Sequence, residues 1–130
     1  MLTQKINFKK MNKDLMNSRV KKLQIEGNNI EAGIVNRTLQ GKDMFLKAFK
    51  KYTKGYASFR SKNGRKSTVN LTYTGQMLGA ITSDNIPDGL KFKFSSKSES
   101  EKAAWNNKTR KFFGTDKTQR EYLKKKLSKL

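Results

Sequence analysis

The chain contains no cysteine, no histidine and only one proline, Pro87. Without cysteine there is no disulfide and no thiolate nucleophile, and without histidine there is no imidazole general base. The same two absences remove the usual ligands of a zinc site. A single proline also gives no sign of a proline-rich linker. These absences leave charge, hydrogen bonding and packing as the means by which the chain can act.

Acidic residues are scarce, with 10 Asp and Glu against 30 Lys and Arg, which gives a formal net charge of +20 on 130 residues. Charge of this size repels itself unless a polyanion or an acidic partner neutralises it. Nucleic acid is the first candidate partner, an acidic protein surface the second and an anionic membrane the third. Solubility alone rarely requires so much charge of one sign.

Catalytic signatures are also missing from the sequence. The acids are scattered and select no nuclease-like cluster, and there is no Walker phosphate loop, GxSxG or HExxH motif. We therefore expect a protein that is not an enzyme and that needs no cofactor, no metal and no small-molecule substrate.

The length favours a single domain over residues 1–130. The opening MLTQKINFKK has no apolar run long enough for a signal peptide, and no stretch is long enough to span a bilayer. We divide the domain into an N-terminal helical segment (1–40), an α+β core (41–125) and a basic C-terminal end (126–130). We expect it to be made and used in a cytoplasm or in an assembly built there.

Two amphipathic helices are predicted near the ends of the chain. The first lies within residues 11–36, where Asn12 is the expected N-cap, Asp14 is favourable in the first turn, and Gly27-Asn28-Asn29 is expected to divide or bend the helix. Its apolar seam consists of Met16, Val20, Leu23, Ile30 and Ile34, with Gly27 in the gap. The last helix begins at a capping box of Asp116 and Gln119, with Thr115 as an alternative N-cap. Its apolar face holds Leu123, Leu127 and Leu130.

The middle of the chain alternates basic and aromatic residues. Residues 42–66 hold nine Lys or Arg and one acid, Asp43. Residues 44–49 fit either a strand or a helical turn. The spacing of Tyr52, Tyr56 and Phe59 predicts one face of a short helix, and it suits core packing better than stacking on bases. The Asn63-Gly64 pair then predicts a polar loop over residues 61–67.

Two strands and a further helix complete the prediction. In VNLTYTGQMLGAI (69–81) the alternation of Val69, Leu71 and Tyr73 predicts a strand that turns at Thr74-Gly75 into a short apolar helix. A turn at 87–89 precedes LKFKF (90–94), whose strict alternation predicts a half-buried strand with its lysines facing out. Residues 96–108 fit a short helix or an irregular arm. The expected class is α+β, with an N-terminal amphipathic helix, a small antiparallel sheet with short helices, and a C-terminal helix.

The basic residues are spread along the chain and are not concentrated on one recognition helix. That distribution suits sequence-independent contact with backbone phosphates, or with an acidic partner. No helix-turn-helix is indicated. The expected contact residues are Lys50, Lys51, Lys54, Arg60, Lys62, Arg65, Lys66, Lys124, Lys125 and Lys126.

Four short segments, taken in order, resemble the virion-morphogenesis, tail-completion and neck proteins of tailed phages. They are Tyr52–Ala57 (YTKGYA), Leu71–Leu78 (LTYTGQML), Lys102-Ala103 and Arg110–Gly114 (RKFFG). The similarity extends over about residues 41–125. One departure is Gln76, which stands where an acidic residue is common in that group.

The resemblance implies a small α+β subunit of a homo-oligomeric ring at the head–tail joint of a virion, assembled in the host cytoplasm. Such a ring would lie between the portal or adaptor and the tail, on the path of the DNA, with its basic surface toward the DNA channel or toward acidic neighbouring subunits. Thr74 would cap the helix, Gly75 would relieve the turn, and Arg110 would pair with an acid or a helix end at a subunit contact. The other implied structural residues are Met77, Leu78, Phe112, Phe113 and Gly114.

A second interpretation of the same sequence is a free-standing, non-specific nucleic-acid-binding protein of ribosomal or nucleoid type. The order of the apolar segments favours the virion protein, whereas the charge alone favours the second interpretation.

Overall fold

A computed structural model describes residues 2–7, 20–72, 75–86 and 89–128. Along the chain the elements are β1 (Gln4–Asn7), α1 (Val20–Leu39), α2 (Lys54–Lys62), α3 (Gln76–Gly79), β2 (Ile81–Ile86), β3 (Gly89–Phe94), α4 (Lys97–Thr109) and α5 (Lys117–Ser128). The predicted α+β class with a C-terminal helix is confirmed. The expected N-cap Asn12, the first-turn Asp14 and the seam residue Met16 lie outside the described residues, as do the turn residues Pro87 and Asp88.

The sheet has three antiparallel strands in the order β1-β3-β2. Its centre is β3, the strand with the strict alternation. Leu90, Phe92 and Phe94 are buried on one face, as predicted. Burying a side chain of this size contributes about 1.5–3 kcal/mol. The edge strand β1 was not expected from the sequence, because its four residues, QKIN, carry little apolar alternation.

The opposite face of the sheet carries the charged residues. Register pairs Lys5 with Lys91, and Asp84 with Lys91 from the other side, so these side chains share a face. Lys93 Nζ lies 2.8 Å from Asp84 Oδ2 in a half-exposed ion pair. Such a pair is worth no more than about 1 kcal/mol. The face is therefore a polar surface that tolerates lysine, and the prediction that these lysines point away from the core is confirmed.

Helix α1 crosses the apolar face of the sheet and is continuous through Gly27-Asn28-Asn29, so the predicted division at these residues is wrong. A Cβ built on Gly27 would lie 2.9 Å from Ser83 Oγ and 3.5 Å from Leu90 Cδ2. The glycine therefore allows a close approach of the helix to β2 and β3. Packing of the flanking Ile30 and Ile34, both buried, outweighs the low helix propensity of glycine and asparagine.

The segment before α3 is not the strand that its alternation predicted. Val69 and Leu71 are buried, but Leu71 has a φ of 55°, which interrupts an extended chain. Its N–H donates to Tyr52 Oη at 3.2 Å, and the Thr72 N–H donates to Asn70 Oδ1 at 3.0 Å. Side chains thus take the place of a partner strand. The strand of this region comes after the short helix, as β2, and not before it.

Residues 42–49 form neither a strand nor a helical turn. A single bridge between Lys42 and Ala48 closes a tight turn. The following helix α2 begins at the N-cap Thr53, whose hydroxyl accepts from the Tyr56 N–H at 3.3 Å. Tyr56 and Phe59 on this helix are exposed, so the expectation of core packing is wrong for them. The polar loop predicted after it is present, with Gly64 at a φ of 70°.

An aromatic cluster joins the sheet to the C-terminal half of the chain. The rings of Phe94 and Phe113 are 4.9 Å apart, and those of Phe94 and Phe112 are 6.4 Å apart. Both Phe112 and Phe113 are fully buried. A Cβ on the neighbouring Gly114 would lie 2.6 Å from Met44 Cε, so the RKFFG segment is packed on both sides.

A buried arginine, Arg37 at the end of α1, holds the start of α5. Its Nη1 donates to Asp116 Oδ2 at 3.0 Å and to Gln119 Oε1 at 3.1 Å. Its Nη2 donates to the carbonyl oxygens of Phe112 and Gly114 at 2.6 and 2.9 Å. Arg37 is 5% exposed, so these contacts stabilise a charge that is removed from water, although its Nε is buried without a hydrogen-bond partner. We call this set the Arg37 brace.

The predicted capping box of α5 is present, with Asp116 and not Thr115 as the cap. The Gln119 N–H donates to Asp116 Oδ1 and the Asp116 N–H donates to Gln119 Oε1, both at 2.9 Å. Burial raises the pKa of the Asp116 carboxyl, but hydrogen bonds from Thr118, the Gln119 N–H and Arg37, together with the Arg37 charge, outweigh burial. The pKa therefore lies below its ordinary value of 3.8.

Candidate partner-binding groove and basic surface

An open groove of about 560 Å³ lies between α2, the segment that leads into α3, and α4. Its lining mixes apolar, hydroxyl, amide and charged side chains. The residues are Tyr52, Thr53, Tyr56, Arg60, Leu71, Gly75, Gln76, Met77, Glu99, Lys102, Asn106 and Arg110. We refer to it as the α2/α4 groove.

Two arginines enclose the ring of Tyr52 at one end of the groove. The Arg60 and Arg110 Cζ atoms lie 4.9 and 4.8 Å from the ring centroid. Each contact of this kind contributes about 0.5–2 kcal/mol, depending on how far it is removed from water. The Tyr52 hydroxyl meanwhile accepts from the Leu71 N–H. The tyrosine therefore links α2 to the segment that enters α3.

Arg60 corrects the expected contact surface, because it is 1% exposed and cannot face a partner as the lysines do. Its Nε donates to the Lys66 carbonyl at 2.8 Å, and its Nη2 donates to Asn70 Oδ1 and to the Thr72 carbonyl at 3.0 and 2.7 Å. Within the described residues no carboxylate forms an ion pair with it. Arg60 is thus a structural side chain that adds uncompensated positive charge to the groove.

Arg110 makes its hydrogen bonds inside the chain, and its expected pairing with an acid or a helix end at a subunit contact stays a prediction. Its Nε donates to the Lys50 carbonyl at 2.8 Å and its Nη2 to the Lys51 carbonyl at 3.2 Å. It also terminates α4, since its N–H donates to the Asn106 carbonyl at 2.9 Å. Arg110 therefore joins the end of α4 to the basic segment before α2.

Helix α4 supplies the other wall of the groove. Ser96 caps it by accepting from the Glu99 N–H at 3.3 Å. The Glu99 carboxylate, largely buried, pairs with Lys102 Nζ at 3.1 Å. Further along, Asn106 Nδ2 lies 3.7 Å from Met77 Sδ. The helix that the sequence left open as an arm is thus a regular element with a polar face on the groove.

The structural residues of the phage-like segments lie mostly in the core. Met77, Leu78, Phe112 and Phe113 are all buried. Gly75 occupies the N-cap position of α3 with a φ of 84°, a conformation that suits glycine, and no side chain caps the helix there. Thr74, the expected cap, lies outside the described residues.

The exposed lysines form separate groups. Lys50, Lys51 and Lys54 lie around the start of α2, and Lys62, Arg65 and Lys66 lie at its end. Arg65 is braced to the Asn63 carbonyl at 2.9 Å. Lys124, Lys125 and Lys126 lie on α5, which packs against α1 rather than beside α2. The structure therefore presents at least two basic regions and does not unite all of the predicted contact residues in one site.

Few acids remain to offset these groups. Four of the ten are engaged within the chain: Asp43 and Asp116 accept main-chain N–H groups, Asp84 pairs with Lys93, and Glu99 pairs with Lys102. Each of the three ion pairs, including Arg37 with Asp116, removes one charge of either sign, so the excess of positive charge stays at +20.

The residue that sequence reasoning missed is Arg37. A signal for it was available, because Ile30, Ile34 and Arg37 continue the buried 4, 3 spacing of α1. A charged residue at a seam position requires a buried partner. The capping acid Asp116 is that partner.

Among the described residues no helix is long and apolar enough to cross a membrane. Within the same part of the chain no group of three or more acids is arranged to hold a metal ion. Comparison with protein-family models, with curated proteins and with solved structures finds no match.

Proposed function

We propose that this chain is a structural subunit of the head–tail joint of a tailed phage, a ring-forming neck or tail-completion protein. One observation carries the proposal: the four segments that resemble that group all contribute to the α2/α4 groove. Tyr52 and Tyr56 come from the first segment and Lys102 and Arg110 from the third and fourth. The second contributes Leu71, Gly75, Gln76 and Met77. These segments are separate in the sequence, and the fold brings residues of all four to one groove.

The groove suits contact with a neighbouring subunit. It offers an exposed ring at Tyr56 and several hydrogen-bonding groups around the largely buried Leu71 and Met77, a mixture typical of protein interfaces. A closed ring is built from heterologous contacts, so each subunit needs two different complementary surfaces. The groove would be one of these surfaces.

The net charge sets a condition on assembly. Copies of a chain at +20, with few free acids, repel one another unless DNA or acidic neighbours lie between them. We therefore expect the isolated chain to stay monomeric and to form rings only with its assembly partners. Its lysines would then face the DNA channel or those acidic neighbours.

The decisive experiment is quantitative mass spectrometry of purified virions from the source of the sequence. A 15.0 kDa component at a low copy number typical of a single ring supports the proposal. Absence from the particles, with co-purification on cellular nucleic acid, contradicts it.

A matched pair of variants tests the groove itself. Tyr56→Ser removes an exposed ring from the groove lining, and Trp105→Ser removes an exposed ring that does not line it. We expect Tyr56→Ser to reduce incorporation into particles and Trp105→Ser to leave it unchanged. Equal effects of the two variants would remove the groove from the proposal.

A free-standing nucleic-acid-binding protein is the second candidate, favoured by the exposed lysines at both ends of α2 and on α5. Each phosphate neutralised on duplex DNA contributes about −0.9 to the slope of log K against log salt, so six contacts give about −5. Titration of a duplex at several salt concentrations measures this slope. A steep slope for the protein, combined with absence from particles, would favour this candidate.

A further inference from the structure

Residues Asp43–Lys47 form a hydrogen-bonded turn after α1. The Leu46 N–H donates to the Asp43 carbonyl at 3.0 Å, and the Asp43 N–H donates to the Lys47 carbonyl at 2.8 Å. Asp43 Oδ1 accepts from the N–H groups of Phe45 and Lys47, both at 2.9 Å. This is a hairpin turn with aspartate at its first position, where that residue is favoured.

The turn is also attached to the core at its base. The Met44 N–H donates to the Lys111 carbonyl at 2.8 Å, and the Met44 side chain lies against Gly114. The loop that follows α1 is therefore held in one conformation and does not depend on a partner for its shape.

Leu46 occupies a left-handed conformation, with a φ of 63°. This position of a hairpin turn favours glycine or asparagine, and a branched apolar residue there costs about 1–2 kcal/mol. Leu71, with a φ of 55°, incurs the same cost but recovers it by burial, being 8% exposed. Leu46 is 44% exposed. Burial within the chain therefore offsets only part of what a leucine costs at this position.

Next to it, Phe45 is 63% exposed. The pair thus presents an aromatic and an aliphatic side chain together at the tip of a rigid turn. Large apolar anchors on a preorganised loop are the residues that contribute most when an interface closes around them.

The charge around the tip indicates what covers it. Residues 42–54 carry five lysines and one acid, Asp43, so the segment has an excess of four positive charges. A second copy of this basic chain would repel the tip. Entry into duplex DNA would require unstacking a base step at a cost of a few kcal/mol, whereas an open protein socket has no such cost. The occupant that fits is an acidic protein.

We propose that the Asp43–Lys47 turn is a docking knob whose Phe45 and Leu46 side chains enter an apolar socket with an acidic rim on a different protein. That this protein belongs to the same assembly rests on the proposed function. The apolar and acidic character of the socket rests only on the turn and the charges around it.

The stability of Leu46→Gly tests whether Leu46 is strained in the isolated protein and contributes little to its fold. Because glycine relieves the left-handed strain, we expect the urea midpoint of the isolated protein to stay the same or rise. Leu71→Gly, which empties a buried position, is the control and lowers the midpoint. A midpoint for Leu46→Gly that falls as far as that of the control would show that Leu46 serves the fold, and would overturn the proposal.

The contact is tested by replacing Phe45 with benzoylphenylalanine and irradiating the protein in its producing cells, with Tyr122 replaced in a control. We expect Phe45 to cross-link to a peptide of another protein that holds apolar residues flanked by Asp or Glu. Cross-links to a second copy, to nucleic acid or to lipid would overturn the proposal, as would no cross-link from Phe45 at all. If the cross-linked protein is absent from virions, the docking proposal still holds and only the proposed function in the virion is contradicted.

Two defined probes address the other occupants. The double variant Phe45→Ser/Leu46→Gly keeps every charge, so its affinity for a DNA duplex, and for vesicles of phosphatidylserine and phosphatidylcholine, should stay within about twofold of the parent protein. A loss of about tenfold or more on either probe would show that the apolar pair enters DNA or lipid, and the protein socket would be rejected.

Discussion

Two regions of this molecule use buried arginine in different ways. In the Arg37 brace the guanidinium meets a carboxylate, that of Asp116, and the carbonyl oxygens of Phe112 and Gly114. At the α2/α4 groove the buried Arg60 binds carbonyl and amide oxygens and the ring of Tyr52, with no carboxylate among the described residues. The first region is neutralised internally, and the second retains its positive charge.

The difference bears on function. A buried cation without a carboxylate adds to the potential of the surface above it, and Arg110 lines the same groove, whereas the charge of Lys102 there is offset by Glu99. The groove therefore carries local positive charge from its own wall as well as from the general excess of lysine. The Arg37 brace, by contrast, has only a structural task.

In both regions arginine has a different structural role from lysine. Each of the five arginines in the described part of the chain donates to a main-chain carbonyl. These are Arg37, Arg60, Arg65, Arg110 and Arg120. The planar guanidinium has several donors in a fixed geometry, so it can bind two backbone segments at once. The lysine ammonium is more strongly hydrated and therefore tends to stay in water. The arginines here hold loops, and the exposed charge is mostly lysine.

The largest expected effect follows from Arg37→Met. This change removes the ion-pair partner of the buried Asp116 and leaves its Oδ2 and two carbonyl groups without the arginine donors, so we expect a loss of about 3 kcal/mol or more in the free energy of unfolding. Urea denaturation measures it. Arg37→Lys keeps the charge but has fewer donors, so its free energy of unfolding should lie between those of the parent and Arg37→Met. An Arg37→Met variant as stable as the parent would refute the stabilising role of the Arg37 brace.

Arg60→Met should cost less, about 1–2 kcal/mol, because it strands carbonyl and amide oxygens but no charge. The same urea titration applies, with Lys62→Met as an exposed control on the same helix. A loss as large as that of Arg37→Met would abolish the distinction between the two regions.

Arg110→Met should have a smaller effect, about 0.5–1.5 kcal/mol, since its two carbonyl bonds are partly exposed to water. We expect its main consequence to be local. Hydrogen exchange should rise in residues 50–53 and stay unchanged in the Arg37 brace. Protection that stays the same at 50–53 would show that Arg110 does not hold this segment.

The smallest expected effect is a pH dependence confined to the Arg37 brace. Because the folded pKa of Asp116 lies below its ordinary value, its ionised form stabilises the protein above about pH 4, and this contribution is lost as the pH falls through the folded pKa. The stability difference between the parent and Asp116→Asn should therefore shrink on acidification. A difference that persists at low pH would contradict the assigned direction.

Local patterns in the sequence predicted several elements correctly, for reasons that can be named. Alternation in LKFKF identified β3, because a central strand with one covered face requires it. The spacing of Asp116 and Gln119 identified the cap of α5, because the hydrogen bonds of a capping box lie within one turn. The polar loop after α2 was likewise indicated by Asn63-Gly64.

Other elements could not be predicted locally. Val69 and Leu71 alternate as in a strand, but Tyr52 and Asn70 supply the hydrogen bonds that a partner strand would have made. Gly27 suggested a break, yet a helix packed closely on Ser83 requires its missing side chain. In both cases the residue that decides the structure, Tyr52 or Ser83, is distant in the sequence from the segment whose pattern was interpreted.

The candidate site shows the same division. The sequence indicated the segments that form the site, including the aromatic and basic segment before α2 and the RKFFG segment. It did not indicate that these segments meet at one groove. The sequence indicated that Arg60 would face a partner, because a charged residue among lysines reads as surface. Only the packing of α2 against residues 66–72 buries it.

By itself, then, the sequence determined the α+β class, the charge of +20 and the helix and strand signals whose hydrogen bonds close within a few residues. The tertiary structure alone decided which basic residues are buried, which four segments share a groove and which leucine is held strained at the surface. Those properties depend on contacts between residues far apart in the chain, and a local pattern carries no information about such contacts until the chain is folded.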